Sequence, residues 1–344
     1  MSPGDKMCHM PLPERPVLVA PDSFKGTFRA SEVAGAIGRG LERAGLMPPD
    51  LCPVADGGEG TMDALLPGLG GEVVAADAHD PLDRELRGCF ALVEDGGTAI
   101  VETATASGLG LVAEDERDPW EASTYGTGEL IAAAAQAGAQ VIVVAVGGSA
   151  TTDGGEGALR AIEEAGGLGG AKLVVLCDVR TVFEDAAKVF GPQKGADSSM
   201  VAKLERRLHD IAARFPRDPR GVPLTGCAGG LSGGLWAVHR ATLEPGAPWV
   251  LDALDFDERM RASRAVITGE GQLDEQTLQG KLVGEIGTRA RQAGVPLHAI
   301  VGRDALDPFG KRMIDLMRVI EAADLDEMEQ AGEALGRELA EGLA

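Results

Sequence analysis

The sequence predicts an α/β protein with largely parallel sheets, and two observations carry that reading. Short apolar runs alternate with stretches of helical period along the whole 344-residue chain, and alternation of that extent builds parallel sheets through right-handed crossovers. Glycine, at 49 residues, is about twice the usual ~7% and clusters where the apolar runs end, which points to backbone coming close to a ligand at several strand ends. The length suits two domains of about 150 residues each.

Taken in order, PVLVA (16–20) reads as a first buried strand. Residues 31–45 place Val33, Ile37 and Leu41 at four-residue steps before Gly45, the pattern of an amphipathic helix with its stop. LCPVA and EVVAA read as strands with a short helix at 61–66 between them. LRGCFALV and TAIVE, split by EDGG, read as a hairpin. This break in the alternation, near 86–102, marks the entry to a second domain. A helix at 128–137 leads into the strand QVIVVAV; a helix at 157–165 and the strand KLVVLCDV come next. Residues 200–215 read as a charged surface helix and 226–241 as a glycine-rich helix packed closely on a neighbour. RAVIT is a strand, 283–293 a helix, and PLHAIVG and MRVIEA are strands. The tail sets Leu325, Met328, Leu335, Leu339 and Leu343 on one helical face and acids on the other.

The formal charge of −22 argues against nucleic acid or an anionic membrane as partner, since both need clustered Lys and Arg. Five scattered cysteines (Cys8, Cys52, Cys89, Cys177, Cys227) with no C-x-x-C pair read as reduced cytoplasmic thiols, not a disulfide frame or zinc site. The five histidines show no H-x-x-x-H spacing. No apolar run approaches the ~18 residues of a membrane span. MSPGDKMCHMPLPERP has no apolar core and four prolines, so residues 1–14 are expected to be a disordered leader.

In open α/β sheets ligands bind beyond the carboxyl ends of the strands, so the residues just after each strand are the ones to compare. PDSFKG succeeds PVLVA, DGGEGT succeeds LCPVA, TATASG succeeds TAIVE and GGSATTDGGEG succeeds VIVVAV. CDV and then FGPQKG come after LVVL, and GEGQLDEQTLQGK after RAVIT. Acids, glycines and hydroxyls recur at equivalent positions, although any one alone would pass for a turn or helix cap. Three of only eight lysines, Lys25, Lys194 and Lys281, sit beside glycine in these segments. A lysine there acts as a point charge on phosphate or carboxylate. G-x-x-x-x-G-K-[ST], G-x-G-x-x-G after the first strand, the protein-kinase set and G-x-S-x-G are all absent. Glycine, hydroxyl, aspartate and lysine together suit phosphoryl transfer, which needs cradled phosphates, a carboxylate and cations more than covalent chemistry.

Together, VLVAPDSFKGTFRASEVAGAIGRGL, PVADGGEGTMDAL, STYGTGELI, VVAVGGSATTDGGEG, VFGPQKGAD, CAGGLSGGL and ITGEGQLDEQTLQGK resemble the bacterial two-domain glycerate kinases of class I, over about 15–303. The resemblance implies transfer from ATP, with Mg²⁺, to D-glycerate, giving 2-phosphoglycerate. It implies a discontinuous Rossmann-like domain, here 15–84 plus 282–344, and an inserted α/β domain, 85–281. Where the family usually carries an extra segment before the CD strand, EEAGGLGGAKLVVLCDV runs straight through, so the inserted domain is expected to be shortened. RTVFEDAAK replaces the family's NPL region, and Thr152 stands where the family often has Asn. A different small hydroxy acid, 3-phosphoglycerate as product, and a weakly active metabolite sensor stay open, as does monomer or homodimer.

On this reading the 147–157 loop binds phosphate and metal. Gly147, Gly148, Gly154 and Gly155 let backbone approach, and Ser149, Thr151 and Thr152 supply hydroxyls. Asp153 is the first candidate for Mg²⁺ ligand or general base, with Asp178 its competitor, and Lys194 for neutralising transition-state charge. Asp22, Ser23, Lys25, Asp56 and Glu59 are expected to bind substrate from the other domain. Glu270, Asp274 and Lys281 are expected to bind substrate or lock a hinge.

Overall fold

The computed structural model describes residues 15–24, 26–279 and 281–342; the expected leader at 1–14 therefore lies outside the described residues. From its amino end the chain forms β1 (Val17–Pro21), α1 (Ala30–Arg43), β2 (Asp50–Leu51) and α2 (Thr61–Leu69). Next come β3 (Glu72–His79), β4 (Glu85–Val93), β5 (Thr98–Glu102), α3 (Ala104–Ser107), α4 (Tyr125–Gln136) and β6 (Val141–Ala145). The chain continues through α5 (Glu156–Glu164), β7 (Lys172–Cys177), α6 (Ala186–Phe190), α7 (Ser198–Ala212), α8 (Leu231–His239) and β8 (Thr242–Pro245). The remainder is α9 (Gly246–Ala253), α10 (Phe256–Ala262), β9 (Ala265–Gly269), β10 (Gln272–Leu273), α11 (Leu282–Ala293), β11 (Leu297–Val301), β12 (Arg303–Asp304), α12 (Pro308–Met313), β13 (Leu316–Glu321) and α13 (Leu325–Glu341).

Two sheets organise these elements. One has five parallel strands in the order β13-β11-β9-β1-β2. The other has six, β3 through β8 in sequence, antiparallel from β3 to β5 and parallel from β5 to β8. β10 and β12 form a short parallel ribbon. The fold is α/β, as the alternation of runs predicts.

Strand pairing divides the chain differently from the expected boundaries at 84/85 and 281/282. β3 pairs with β4 along its whole length, from Glu72↔Leu92 to His79↔Glu85, so the chain enters the second sheet after α2. It returns before β9, which pairs with β1 from Val17↔Ala265 to Pro21↔Gly269. EVVAA looks like one more strand of the first unit because a strand's partner is not written in its own residues. The expected helix at 226–241 starts only at Leu231, because Ala228 and Gly229 adopt left-handed backbone at φ 51° and 65°. β8, α9 and α10 have no counterpart among the expected elements.

The sheets stack with helices between and outside them. Val33, Ile37 and Leu41 of α1 are fully buried, as their spacing predicts, and pack with Met328, Leu335 and Leu339 of α13 on one face of the first sheet. Leu65, Val250, Leu251, Phe256 and Ile286, from α2, α9, α10 and α11, form a middle layer. That layer joins Leu18 and Val266 of the first sheet to Ile100, Val143 and Leu176 of the second. Leu130, Ile131, Ile162 and Leu235 cover the far face of the second sheet. The apolar core thus runs unbroken from one sheet to the other. The α5–β7 connection is short and turns on Gly166, Gly167, Gly169 and Gly170, all at positive φ, a conformation other residues adopt only with strain.

Candidate active site

In the first sheet β2 lies on one side of β1, while β9, β11 and β13 extend from the other. The strand order therefore reverses between β1 and β9, and the crevice beyond the carboxyl ends at such a point is where open α/β sheets bind ligands. The residues that emerge there are acidic. Asp22 comes directly after β1 and donates its N–H to Gly269 O at 2.8 Å, while Glu270 comes directly after β9. Asp56 ends the extended segment after β2, whose Val54 N–H bonds Pro21 O at 3.0 Å.

A cavity of about 500 Å³ occupies this edge, lined by Asp22, Ser23, Phe24, Asp56, Glu270, Asp274, Lys281 and Arg303 among others. Its acids are held in place. Asp22 Oδ1 accepts from Ser23 N at 2.7 Å and Asp56 Oδ1 from Gly58 N at 3.1 Å. Glu270 Oε1 accepts from Thr277 Oγ1 at 2.7 Å. Asp274 accepts from Gln276 N at 2.8 Å and Gln272 Nε2 at 3.0 Å, and Lys281 Nζ donates to Gln276 Oε1 at 2.7 Å. Six of the expected substrate residues thus meet in one cavity. Lys25, expected beside them, lies outside the described residues.

A second cavity of about 440 Å³ adjoins it, sharing Ser23, Thr27 and Phe28 and adding Arg29, Glu59, Met62, Asp63 and Glu102. Glu102 comes from the second sheet, as the last residue of β5, and is only 5% exposed. Its Oε1 accepts from Met62 N, in the first turn of α2, at 2.6 Å. Burial pushes its carboxyl up to about 7, the N–H groups of Met62 and Gly60 pull it down, and the charges of Glu59 and Asp63 push it up. Sequence reasoning passed over Glu102 by counting it inside the strand. The rule that points to residues just beyond a strand applies equally to its last residue.

The 147–157 loop, expected to bind phosphate and metal, is mostly buried and packs against the first unit. Gly147 lies against Gly58 so closely that a Cβ on it would stand 2.7 Å from Gly58 Cα, and a Cβ on Gly57 would stand 2.6 Å from Gly246 Cα. These glycines let loops of the two units meet backbone to backbone. Gly148 is exposed beside Glu59, but Ser149, Thr151, Thr152, Gly154 and Gly155 are buried. Thr151 Oγ1 reaches Ala228 O at 3.5 Å, and Thr152 Oγ1 finds no hydrogen-bond partner among the described residues.

Asp153 is 2% exposed, and its carboxylate is fully engaged. Oδ2 accepts from Thr124 N and Thr124 Oγ1, both at 2.8 Å, and from Gly157 N at 3.2 Å; Oδ1 accepts from Gly155 N at 3.1 Å. Thr124 precedes α4 and Gly155 precedes α5, so one carboxylate serves the positive ends of two helices. Taking up Mg²⁺ or a proton, the roles expected of Asp153, would compete with these four donors. Lys194 is buried too, its Nζ donating to Ser149 Oγ at 3.0 Å and Thr151 O at 2.5 Å. Burial lowers its ammonium to about 7 against the opposing pull of Asp153 and Asp178. Asp153 and Asp178 thus lie near Lys194, and Lys194 braces the loop from within.

Among the described residues no group of three or more Asp, Glu, His or Cys is arranged to hold a metal ion. Mg²⁺ seldom needs one, since it is usually bound by one or two carboxylates together with substrate phosphates. Asp22 and Asp56, two carboxylates that line the same cavity, fit that donor set better than Asp153 does.

A family model described as the glycerate kinase family matches residues 17–167 and 164–340. The two stretches meet at the α5–β7 connection. The chain is similar to a glycerate kinase of Halalkalibacterium halodurans, with 35% identity over 370 residues, 95% of this chain and 97% of the relative. It is similar to a glycerate 2-kinase of Escherichia coli, with 35% identity over 325 residues, 83% of this chain and 84% of the relative. Among solved structures, one described as a putative glycerate kinase 2 from Salmonella typhimurium LT2 superposes with a TM-score of 0.80 at 30% identity, covering 96% of this chain and 99% of that one.

Proposed function

The chain belongs to the glycerate kinase family, and on that footing we propose that it transfers the γ-phosphoryl group of ATP to the 2-hydroxyl of D-glycerate, forming 2-phosphoglycerate. The observation that supports this reading is the pair of adjoining cavities. The larger has the size of ligand sites in general, 300–1,000 Å³ on a rough scale. It combines carboxylates with Lys281, Arg303 and the apolar Phe24 and Phe28, which suits a nucleotide with its phosphates. The smaller presents Arg29 for a carboxylate and Glu102 for a hydroxyl, which suits a small hydroxy acid. Ser23 and Thr27 border both, where the phosphoryl group would pass.

Asp22 and Asp56 would hold Mg²⁺, which supplies charge neutralisation on the phosphates when bound. Lys281 and Arg303 supply fixed positive charge, and Glu270 and Asp274 keep the loop that carries Lys281 in shape. Lys194 holds the 147–157 loop through Ser149 and Thr151 so that Gly147 and Gly148 present backbone at the junction of the two units.

The test is product formation from ATP and D-glycerate, read by coupling to enolase with and without phosphoglycerate mutase. Signal with enolase alone marks 2-phosphoglycerate; dependence on the mutase marks the 3-isomer and refutes the regiochemistry. Absence of either product refutes the reading as a whole.

A further inference from the structure

We propose that Glu102 is the general base of the reaction, a carboxylate supplied by the second sheet that takes the proton from the attacking hydroxyl of glycerate. This role rests on the placement of glycerate in the smaller cavity. Among the described acids that line this cavity, Glu102 is the buried one. Glu59 is exposed, Glu32 accepts from Arg29 N at 2.9 Å and Asp63 from Ser31 Oγ at 2.8 Å. Glu102 is also set by regular structure. Its backbone pairs with Ala145 of β6, Thr105 Oγ1 donates to its carbonyl at 2.8 Å, and Met62 N fixes Oε1 at 2.6 Å. A group at the end of a strand with a fixed side chain holds position better than one on a loop.

The charges around it favour proton uptake. Glu59 and Asp63 bear on it from the α2 side, Arg29 and Glu32 share the cavity from the start of α1, and Cys89 on β4 has its own thiol pushed up by burial and the Glu102 charge. A carboxyl raised to about 7 is matched to proton transfer near neutral pH. In the step, the glycerate hydroxyl oxygen forms its bond to the γ-phosphorus. The bond from that phosphorus to the oxygen bridging to the β-phosphoryl group breaks, its electron pair leaving with ADP. The hydroxyl proton passes to a Glu102 carboxylate oxygen and is released to solvent after turnover.

The experiment compares the wild type, Glu102→Gln and Glu102→Asp in full-length protein, between about pH 5.5 and 8.5, at saturating nucleotide and Mg²⁺. The wild-type kcat should rise with an apparent pKa near 7. Glu102→Gln, which keeps shape and an acceptor for Met62 N, should lose roughly 10²–10⁴-fold in kcat with the glycerate KM little changed, and should lose the acid limb. Glu102→Asp should recover part of the rate and the limb. A Gln variant that keeps most of its kcat and the wild-type limb overturns the proposal, because a merely structural carboxylate would leave the limb in place. If the Gln variant fails to fold by thermal melting, the wild-type profile decides, and a flat one overturns it. A wild type that makes no phosphoglycerate fails at an earlier step and takes the proposed function down with it.

Discussion

Replacing Asp153 by Asn separates a structural carboxylate from a catalytic one. The side chain meets four donors, three on Oδ2 and one on Oδ1. Asn keeps one acceptor oxygen. With that oxygen in the Oδ2 position, Thr124 N, Thr124 Oγ1 and Gly157 N retain a neutral acceptor, but the new NH₂ group faces Gly155 N. A buried donor left without an acceptor costs about 1–3 kcal/mol, and each of the three surviving bonds weakens by a fraction of that as the charge is lost. The two helix N-termini lose their anion, at about 0.3–1 kcal/mol each. The total is on the order of 3 kcal/mol, which lowers Tm by roughly 4 °C in a protein of this size. Chemical and thermal denaturation measure it, alongside kcat on the fraction that remains folded. A structural carboxylate predicts a large loss of stability with kcat close to wild type. An unchanged Tm together with a kcat reduced by roughly 10²-fold or more would instead make Asp153 a group that acts on substrate.

Packing, metal binding and pH offer further tests. Gly147→Ala would set a Cβ 2.7 Å from Gly58 Cα, backbone that has no side chain to move aside; the variant should be strongly destabilised and inactive, and a melt equal to wild type would count against the close contact. Asp56→Asn should raise the Mg²⁺ concentration needed for half-maximal rate, and an unshifted Mg²⁺ curve would remove Asp56 from the metal. His298 is buried, its ring nitrogens lack partners among the described residues, and desolvation lowers its pKa from 6.5 to about 4. Protons then bind the unfolded chain more than the folded one between those values, so stability is lost as pH falls from 6.5 toward 4, by up to roughly 3 kcal/mol. His298→Leu should flatten that part of the stability curve, and an identical slope would exclude His298. Lys194, lowered from 10.5 to about 7, makes stability rise with pH across that range, a rise that Lys194→Met should abolish in alkaline melts.

Much of this molecule is legible in its sequence. Hydrophobic period and glycine placement determine most helices and strands, because burying one face of a helix or both faces of a parallel strand imposes a pattern on neighbouring residues. That is why Val33, Ile37 and Leu41 read correctly as a buried stripe, and why acids just past strand ends marked Asp22, Asp56 and Glu270, which line one cavity. What the tertiary structure decided is which strand pairs with which, and what each buried polar group faces. β3 belongs with β4 because the chain folds back on itself, from His79↔Glu85 at the turn to Glu72↔Leu92 at the far end, and nothing within EVVAA records that choice. Asp153 stands in a loop that looks built for phosphate, yet two of its four donors, both on Thr124, arrive only when α4 and α5 pack together. Glu102 is one more strand residue in the sequence, and becomes a poised carboxyl only where the second sheet meets the first turn of α2 and water is excluded. Local pattern sets where a side chain can point, but the charge, donors and solvent it meets are set by chain segments far away in sequence.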